Sequence, residues 1–281
     1  MSLQDILVFV DESEQCLGLA IELAKRSDAH LIGLAVTSPV QVPEFSTFSM
    51  DFYPQDLIKH QWEAAQERGK RLRKDFEERT AGDGVSSEWR GVEPLTPAAV
   101  LEAVALHARY ADVVMIGQPD PDHPEMGLAS DFPGQVAVTS GRPVLAVPQA
   151  AHLQPIGRRV LVAWNASREA TRAVHDALPL LRSAQEVRVL GLTDKGGGQA
   201  GESPDAGIIA HLTRHGVPAH AEQGVLENHR VGDAILSSAA DFGADLLVMG
   251  IYGHARMREV ILGGASRRIL LGMTLPVLVA H

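Results

Sequence analysis

Short apolar runs, each stopped by an acid or a glycine and followed by residues at helical spacing, recur along the chain. Ile6-Leu7-Val8-Phe9-Val10 ends at Asp11-Glu12-Ser13, and Leu19, Ala20, Leu23 and Ala24 then return on one helical face. Leu31-Ile32-Gly33-Leu34-Ala35-Val36 is a second strand, so the opening is a βαβ unit with a right-handed crossover. Thr37 to Tyr53, rich in Pro, Ser and aromatics, has no clean period and reads as a long loop or lid. Asp56 to Arg79 predicts a charged amphipathic helix with Leu57, Trp62, Ala65 and Leu72 on its buried face. Ser86 to Arg90 is a third strand, and Pro97 to Arg109 a helix with Thr96 as its cap and Pro97 at its first position. Asp112 to Gly117 and Pro143 to Val147 are the fourth and fifth strands.

The second half repeats this scheme. Val160-Leu161-Val162-Ala163-Trp164-Asn165-Ala166-Ser167 aligns without a gap on Ile6 to Ser13. Ala111-Asp112-Val113-Val114-Met115-Ile116-Gly117 aligns on Ala244-Asp245-Leu246-Leu247-Val248-Met249-Gly250, and Pro143-Val144-Leu145 on Pro276-Val277-Leu278, at one shared offset. Between these ends, Glu186 to Leu192 is a strand, Lys195 to Gly201 a glycine-rich mobile tract, Ile208 to His215 a helix, and Val231 to Phe242 another. The junction is Gln149 to Arg158, which sets the domains at 1–149 and 158–281. Each is an α/β unit of about five mainly parallel strands, doubly wound, with ligands expected at the strands' carboxyl ends where the strand order reverses. Asp11, Asn165 and Gly250 lie at such ends.

Asp245 to Ser266 is where chemistry concentrates. An apolar strand ends at Gly250, and after Gly253 and a nine-residue spacer Gly263-Gly264-Ala265-Ser266 opens a helix. Glycine lets the main chain approach a ligand closely, and free N–H groups at a helix start favour an anion such as phosphate. Ser266 adds a hydroxyl, and Arg256 and Arg258 in the spacer are candidate phosphate partners. Turn formation and helix packing alone also account for glycines in this pattern.

Composition narrows the classes. With 281 residues, 45% hydrophobic and 21% charged, the chain has the make-up of a soluble globular protein. A net charge of −10 argues against nucleic acid or an anionic membrane as main partner. No apolar run reaches the roughly 18 residues that span a bilayer. The single cysteine, Cys16, excludes an intrachain disulfide, and the start lacks a basic stretch before an apolar core, so the expectation is a cytoplasmic protein.

A strand ending in an acid before a Ser-containing turn, and a late strand followed by Gly250, Gly253 and Gly263 with Pro276-Val277-Leu278-Val279 at the close, resemble the universal stress protein family in its tandem form. The resemblance implies two five-stranded parallel sheets flanked by helices, of the adenine nucleotide alpha hydrolase-like type, pairing within the chain through their last strands as a pseudo-dimer, with a further homodimer open. It also implies ATP as ligand, with or without Mg2+. Carried over, Gly250, Gly253 and Gly263 would hold ribose and phosphates, Asn165 would meet adenine and ribose, and the backbone at Leu192 and Thr193 would contact adenine. With their neighbours the expected site is Ala163, Trp164, Asn165, Ser167, Leu192, Thr193, Met249, Gly250, Gly253, His254, Arg256, Gly263, Gly264, Ala265 and Ser266.

Two departures bear on it. The family pattern has Ser or Thr directly after the third glycine, where this chain has Gly264, and Asn165 replaces an aspartate, so it offers an amide oxygen without charge. In the first half Gly253, Gly263, Gly264 and Ser266 become Asp120, Ser130, Asp131 and Pro133, and Asp122 and Glu125 add negative charge. Like charge opposes phosphate, which predicts one nucleotide site per chain, in the second half. His123, beside Asp120 and Asp122, and His211 with His215 lack metal-site spacing and read as surface residues. No metal site and no catalytic residue is expected, so any ATP hydrolysis would be slow. A nucleotide-dependent stress sensor or regulator is the leading reading. A nucleotide-free scaffold of the same fold, and an α/β enzyme such as a nucleotidyl transferase or flavoprotein relative, are its rivals.

Overall fold

The computed structural model describes residues 2–40, 55–119, 127–149, 155–194, 205–226, 230–252 and 264–281. The chain forms two compact units, Leu3–Arg142 and Pro143–His281. The expected loop over Thr37 to Tyr53, the glycine-rich tract at Lys195 to Gly201 and His123 lie wholly or mostly outside the described residues.

The first unit contains β1 (Asp5–Phe9), α1 (Glu14–Ser27), β2 (His30–Val36), α2 (Gln55–Asp83), β3 (Ser87–Val92), α3 (Pro97–Ala108), β4 (Val113–Gly117) and α4 (Phe132–Ser140). Its strands run parallel in the order β3-β2-β1-β4. β1, β2 and β4 are apolar without alternation because helices cover both of their faces, and Ile6, Leu7, Leu31, Leu34 and Val114 are fully buried. α2 is longer than its pattern predicts, and its buried stripe differs. Ala65, Gly69, Phe76 and Thr80 are buried, whereas Trp62 and Leu72 are half-buried. Phe76 anchors it: its ring meets Trp89 at 5.5 Å between centroids, and an added Cβ at Gly33 would lie 2.8 Å from it.

The second unit contains β5 (Val144–Val147), β6 (Arg159–Trp164), α5 (Arg168–Arg182), β7 (Glu186–Asp194), α6 (Asp205–Arg214), β8 (Ala219–Leu226), α7 (Val231–Phe242), β9 (Leu246–Gly250), α8 (Gly264–Gly272) and β10 (Val277–Ala280). Its strand order is β5-β10-β9-β6-β7-β8, parallel except for β5 against β10. Among the described residues each half of the sequence supplies five strands, but β5, the last of the first half, lies in the second compact unit. It pairs with β10 in a register centred on Leu278 opposite Leu145, two residues that the repeat makes equivalent.

The repeat extends to side-chain roles. The Asp112 carboxylate accepts from the amides of Gln4 (2.7 Å) and Asp5 (3.2 Å), where β1 begins. Asp245, its counterpart, accepts from Gly157 (2.7 Å), Arg158 (3.1 Å) and Arg159 (3.0 Å), where β6 begins. A carboxylate that collects two or three backbone donors fixes where the next parallel strand enters the sheet. The guanidinium groups of Arg159 and Arg188 lie 4.5 and 4.1 Å from the centre of the Phe242 ring, which assigns those strand positions to the α7 side. Among the described residues no helix is long and apolar enough to cross a membrane.

Candidate functional site

In the second unit β6 leads through α5 to β7 on one side, while β9, on its other side, is reached from α7. The connections therefore diverge at β6 and β9, and the crevice at the carboxyl ends of these two strands is where an open parallel sheet receives ligands. Register pairs Ala163 with Met249 on one side and with Leu190 on the other, which brings Trp164 and Gly250 to the same edge.

The chain turns sharply there. The Ser167 amide donates to Asn165 Oδ1 (3.1 Å), Ala166 takes the left-handed conformation at φ 57°, and Ser167 Oγ accepts from the Ala170 amide (3.1 Å) to cap α5. Because the turn engages Asn165 Oδ1, the exposed side chain offers a ligand chiefly its Nδ2 donor rather than the amide oxygen. The first unit has the same hydrogen bond, with the Ser13 amide donating to Asp11 Oδ1 (2.8 Å), but no left-handed residue between the two. Burial pushes the Asp11 carboxyl above its ordinary value, against the lowering effect of that amide.

Gly250 has a packing role. A Cβ added there would lie 2.4 Å from the Ala170 nitrogen and from the Glu169 carbonyl carbon, so the strand end sits directly on the first turn of α5 and only glycine fits. This contact accounts for glycine at 250 without a ligand. Met249 is buried, so only its main chain reaches the edge, and Ala163 is half-buried. Trp164 does not fill the core; it is half-buried, with Nε1 enclosed and without a hydrogen-bond partner among the described residues.

β7 runs beyond the end of β6, pairing Leu192 with Gly224 and Thr193 with Val225, and makes a side wall of half-buried Leu192 and exposed Thr193. On the α7 side, α8 starts at Gly264. Its first amides have no acceptor within the helix, Gly264 is exposed, Ala265 half-buried and Ser266 buried. α8 is fastened to α7, with Arg268 Nε donating to Asp233 (2.6 Å) and Gly232 packed so tightly that a Cβ would lie 3.1 Å from the Ala265 oxygen. Among the described residues, a Cβ at Gly264 would meet nothing within 4 Å.

The aligned position in the first unit is the opposite. Asp131, just before α4, is 4% exposed; its Oδ1 accepts from Gln135 Nε2 (3.2 Å), and its Oδ2 has no partner among the described residues. Gly253, His254, Arg256 and Gly263, with Arg258, lie outside the described residues, as do Asp120, Asp122 and Glu125.

One residue escaped the sequence reading. Glu169 is 4% exposed in the first turn of α5, against Gly250. Burial pushes its carboxyl up, but the hydrogen bond and charge of Arg168 (Nε to Oε1, 2.6 Å) and the charge of His281 outweigh this and hold it below its ordinary value. An acid two places after a capping serine signals only a helix dipole contact, which is why its burial is not legible in sequence. No cluster of three or more His, Cys, Asp and Glu residues suited to a metal ion occurs among the described residues.

Residues 157–281 match the model of the universal stress protein family. Among solved structures, a universal stress protein from Archaeoglobus fulgidus DSM 4304 has a TM-score of 0.71 at 17% identity, covering 98% of this chain and 95% of that one. A functionally unknown protein from Pseudomonas aeruginosa PAO1 has a TM-score of 0.60 at 14% identity, covering 99% and 92%. At such identities the likeness is one of fold. Comparison with curated proteins returned no match. The match to the universal stress protein family thus covers residues 157–281, and the length of the chain, about twice that of one such domain, fits a tandem form.

Proposed function

We propose that the chain binds ATP, with or without Mg2+, at the carboxyl ends of β6 and β9 in a second domain spanning 158–281, and acts in stress response as a nucleotide-dependent sensor or regulator. The first domain, 1–149, carries a degenerate site. The observation that carries this reading is the contrast at one aligned position: an exposed, uncharged helix start at Gly264 against a buried carboxylate at Asp131. Phosphate is favoured by the open amides of the former and repelled by the charge of the latter.

The residues present suit an adenine nucleotide. Nδ2 of Asn165 and the backbone beyond Leu192 supply adenine and ribose contacts, and the amides of Gly264, Ala265 and Ser266 face the phosphates. Nothing in this donor set is a metal ligand, so Mg2+ would enter on the phosphates. Gly253, His254, Arg256 and Gly263 complete the proposed cradle. The regulator acts in the cytoplasm, and its output is the order of its loops or the surface it shows a protein partner.

The variant Gly264→Asp tests the site, because it places in the second half the acid that the first half already has, at a position where an added Cβ meets nothing within 4 Å among the described residues. ATP affinity falls on the order of tenfold or more, measured by calorimetric titration, while thermal stability holds. Unchanged affinity removes the assigned phosphate position. Absence of ATP binding by the unaltered chain favours a nucleotide-free scaffold.

A further inference from the structure

Away from the nucleotide site, three histidines meet between α5 and α6. The His211 ring lies 5.1 Å from that of His175 on α5 and 4.5 Å from that of His215, which follows α6. The sequence reading of His211 and His215 as surface residues is corrected by this: both are half-buried, and His211 Nε2 is enclosed without a partner among the described residues. The ring nitrogens are in defined states. His175 Nδ1 donates to the Thr171 carbonyl (2.9 Å), since a carbonyl only accepts. His215 Nδ1 lies 3.2 Å from an Arg182 NH2 group, which only donates, so that nitrogen accepts and the ring is neutral. Arg182 Nε also donates to the His215 carbonyl (3.1 Å), closing a clasp between the end of α5 and the end of α6.

We propose that the His175–His211–His215 stack, clasped by Arg182, is an acid-sensitive latch that holds α6 against α5 at neutral pH and releases it when the imidazoles take up protons. A proton on His215 Nδ1 removes the acceptor that Arg182 uses and turns the contact into a repulsion between cations. A proton on His211 places charge between two other imidazoles in a half-buried seam.

Among the described residues the surroundings supply no compensating acid. The charges acting on His211 come from His215, His175 and Arg214, all cationic or able to become so. On α5, Asp176 is engaged by Arg172 (2.7 Å). On the sheet, Glu186, Arg188, His220 and Glu222 share the α7 side with the Phe242 contact, while the alternate positions towards α6, Val187, Val189, Ala219 and Ala221, carry no charge. Burial first, then these neighbours, hold His211 below its ordinary imidazole value. A histidine lowered in the folded state stabilises above its unfolded value, and that contribution is lost as pH falls through about 6.5 towards the folded value. The latch is therefore closed above neutrality and opens in mild acid.

The latch is independent of the nucleotide reading, and its test needs no ligand. Hydrogen exchange by mass spectrometry on the full chain, corrected for intrinsic exchange rates, reads protection across Ile208–Leu212 at pH 7.5 and 5.5. The latch predicts protection at least about tenfold lower at pH 5.5, with α1 and α3 unchanged relative to each other. The double variant His211→Phe with His215→Gln keeps a ring in the stack and an acceptor for Arg182 but has no titrating side chain at either α6-side position, so its α6 protection is the same at both values. Equal protection of α6 in the unaltered chain, or the same drop in the variant, overturns the latch. Should the variant fail to fold, imidazole NMR of the unaltered chain decides: a His211 midpoint below the ordinary imidazole value, with α6 amide signals changing in step, supports the latch, and a midpoint at the ordinary value with unmoved amides overturns it.

Discussion

At the scale of residues, glycines that look alike in sequence have different work. Gly250 and Gly264 both belong to the motif that drew attention to this region, yet the first is required because the α5 backbone passes where its Cβ would be, and at the second an added Cβ meets nothing within 4 Å among the described residues. Gly250→Ala is expected to destabilise the chain by about 1–3 kcal/mol, the cost of forced overpacking, whereas Gly264→Ala leaves stability within about 0.5 kcal/mol as surface changes do. Urea unfolding of the two variants separates the roles. The two strand-end turns make a similar pair. Asp11 and Asn165 accept the same kind of backbone hydrogen bond, at 2.8 and 3.1 Å, but burial raises the Asp11 carboxyl above its ordinary 3.8. An acid whose folded value is raised binds its proton longer in the fold than in the unfolded chain, so its contribution is present at low pH and lost as pH rises through the folded value. Asp11→Asn, which keeps the acceptor, is therefore expected to stabilise the chain at pH 7 and to lose that advantage below about pH 3.8, as denaturant midpoints at the two pH values show.

At the scale of elements, what a run of residues buries on its own was legible and what depends on a neighbour was not. The capped starts at Ser13, Thr96 and Ser167 are local, since a hydroxyl meets an amide three residues on, and they stand at the start of α1, α3 and α5. The apolar strands are equally local. α2 is the counter-example. Its mean polarity hides a narrow buried stripe whose anchor, Phe76, is set by the gap over Gly33 and the face of Trp89, neither of which sequence spacing reveals. Phe76→Ala is expected to cost about 3–5 kcal/mol, the range for removing a fully buried phenylalanine, while Leu72→Ala costs distinctly less because that side chain is half-buried. Equilibrium unfolding of both variants checks the ranking. In the candidate site the turn at Asn165 followed from residue types in order, but the burial of Glu169 and of the Asp131 carboxylate depends on elements that approach from far along the chain.

At the scale of the whole molecule, the repeat was legible because equal spacing between aligned segments survives where residue identity does not. It extends to paired structural tasks, with Asp112 and Asp245 each gathering the amides of an entering strand. The placement of β5 is the part that spacing leaves open: its sequence closes the first half, while its hydrogen bonds belong to β10. The pairing is antiparallel and centred on the equivalent residues Leu145 and Leu278, so each strand can serve as the other's partner. A fragment beginning at residue 157 keeps β10 without β5, and its bare edge is expected to pair with a second copy in the same register. Sedimentation should show a dimer of that fragment, and a stable monomer would contradict the expectation.

The asymmetry between halves leads to the most direct measurement of all, the stoichiometry of ATP binding by the full-length chain, titrated after removal of any nucleotide that copurifies. About one ATP per chain, lost in Gly264→Asp and retained in Asp131→Asn, is the predicted result. Two per chain, none, or one that persists in Gly264→Asp and disappears in Asp131→Asn would contradict it.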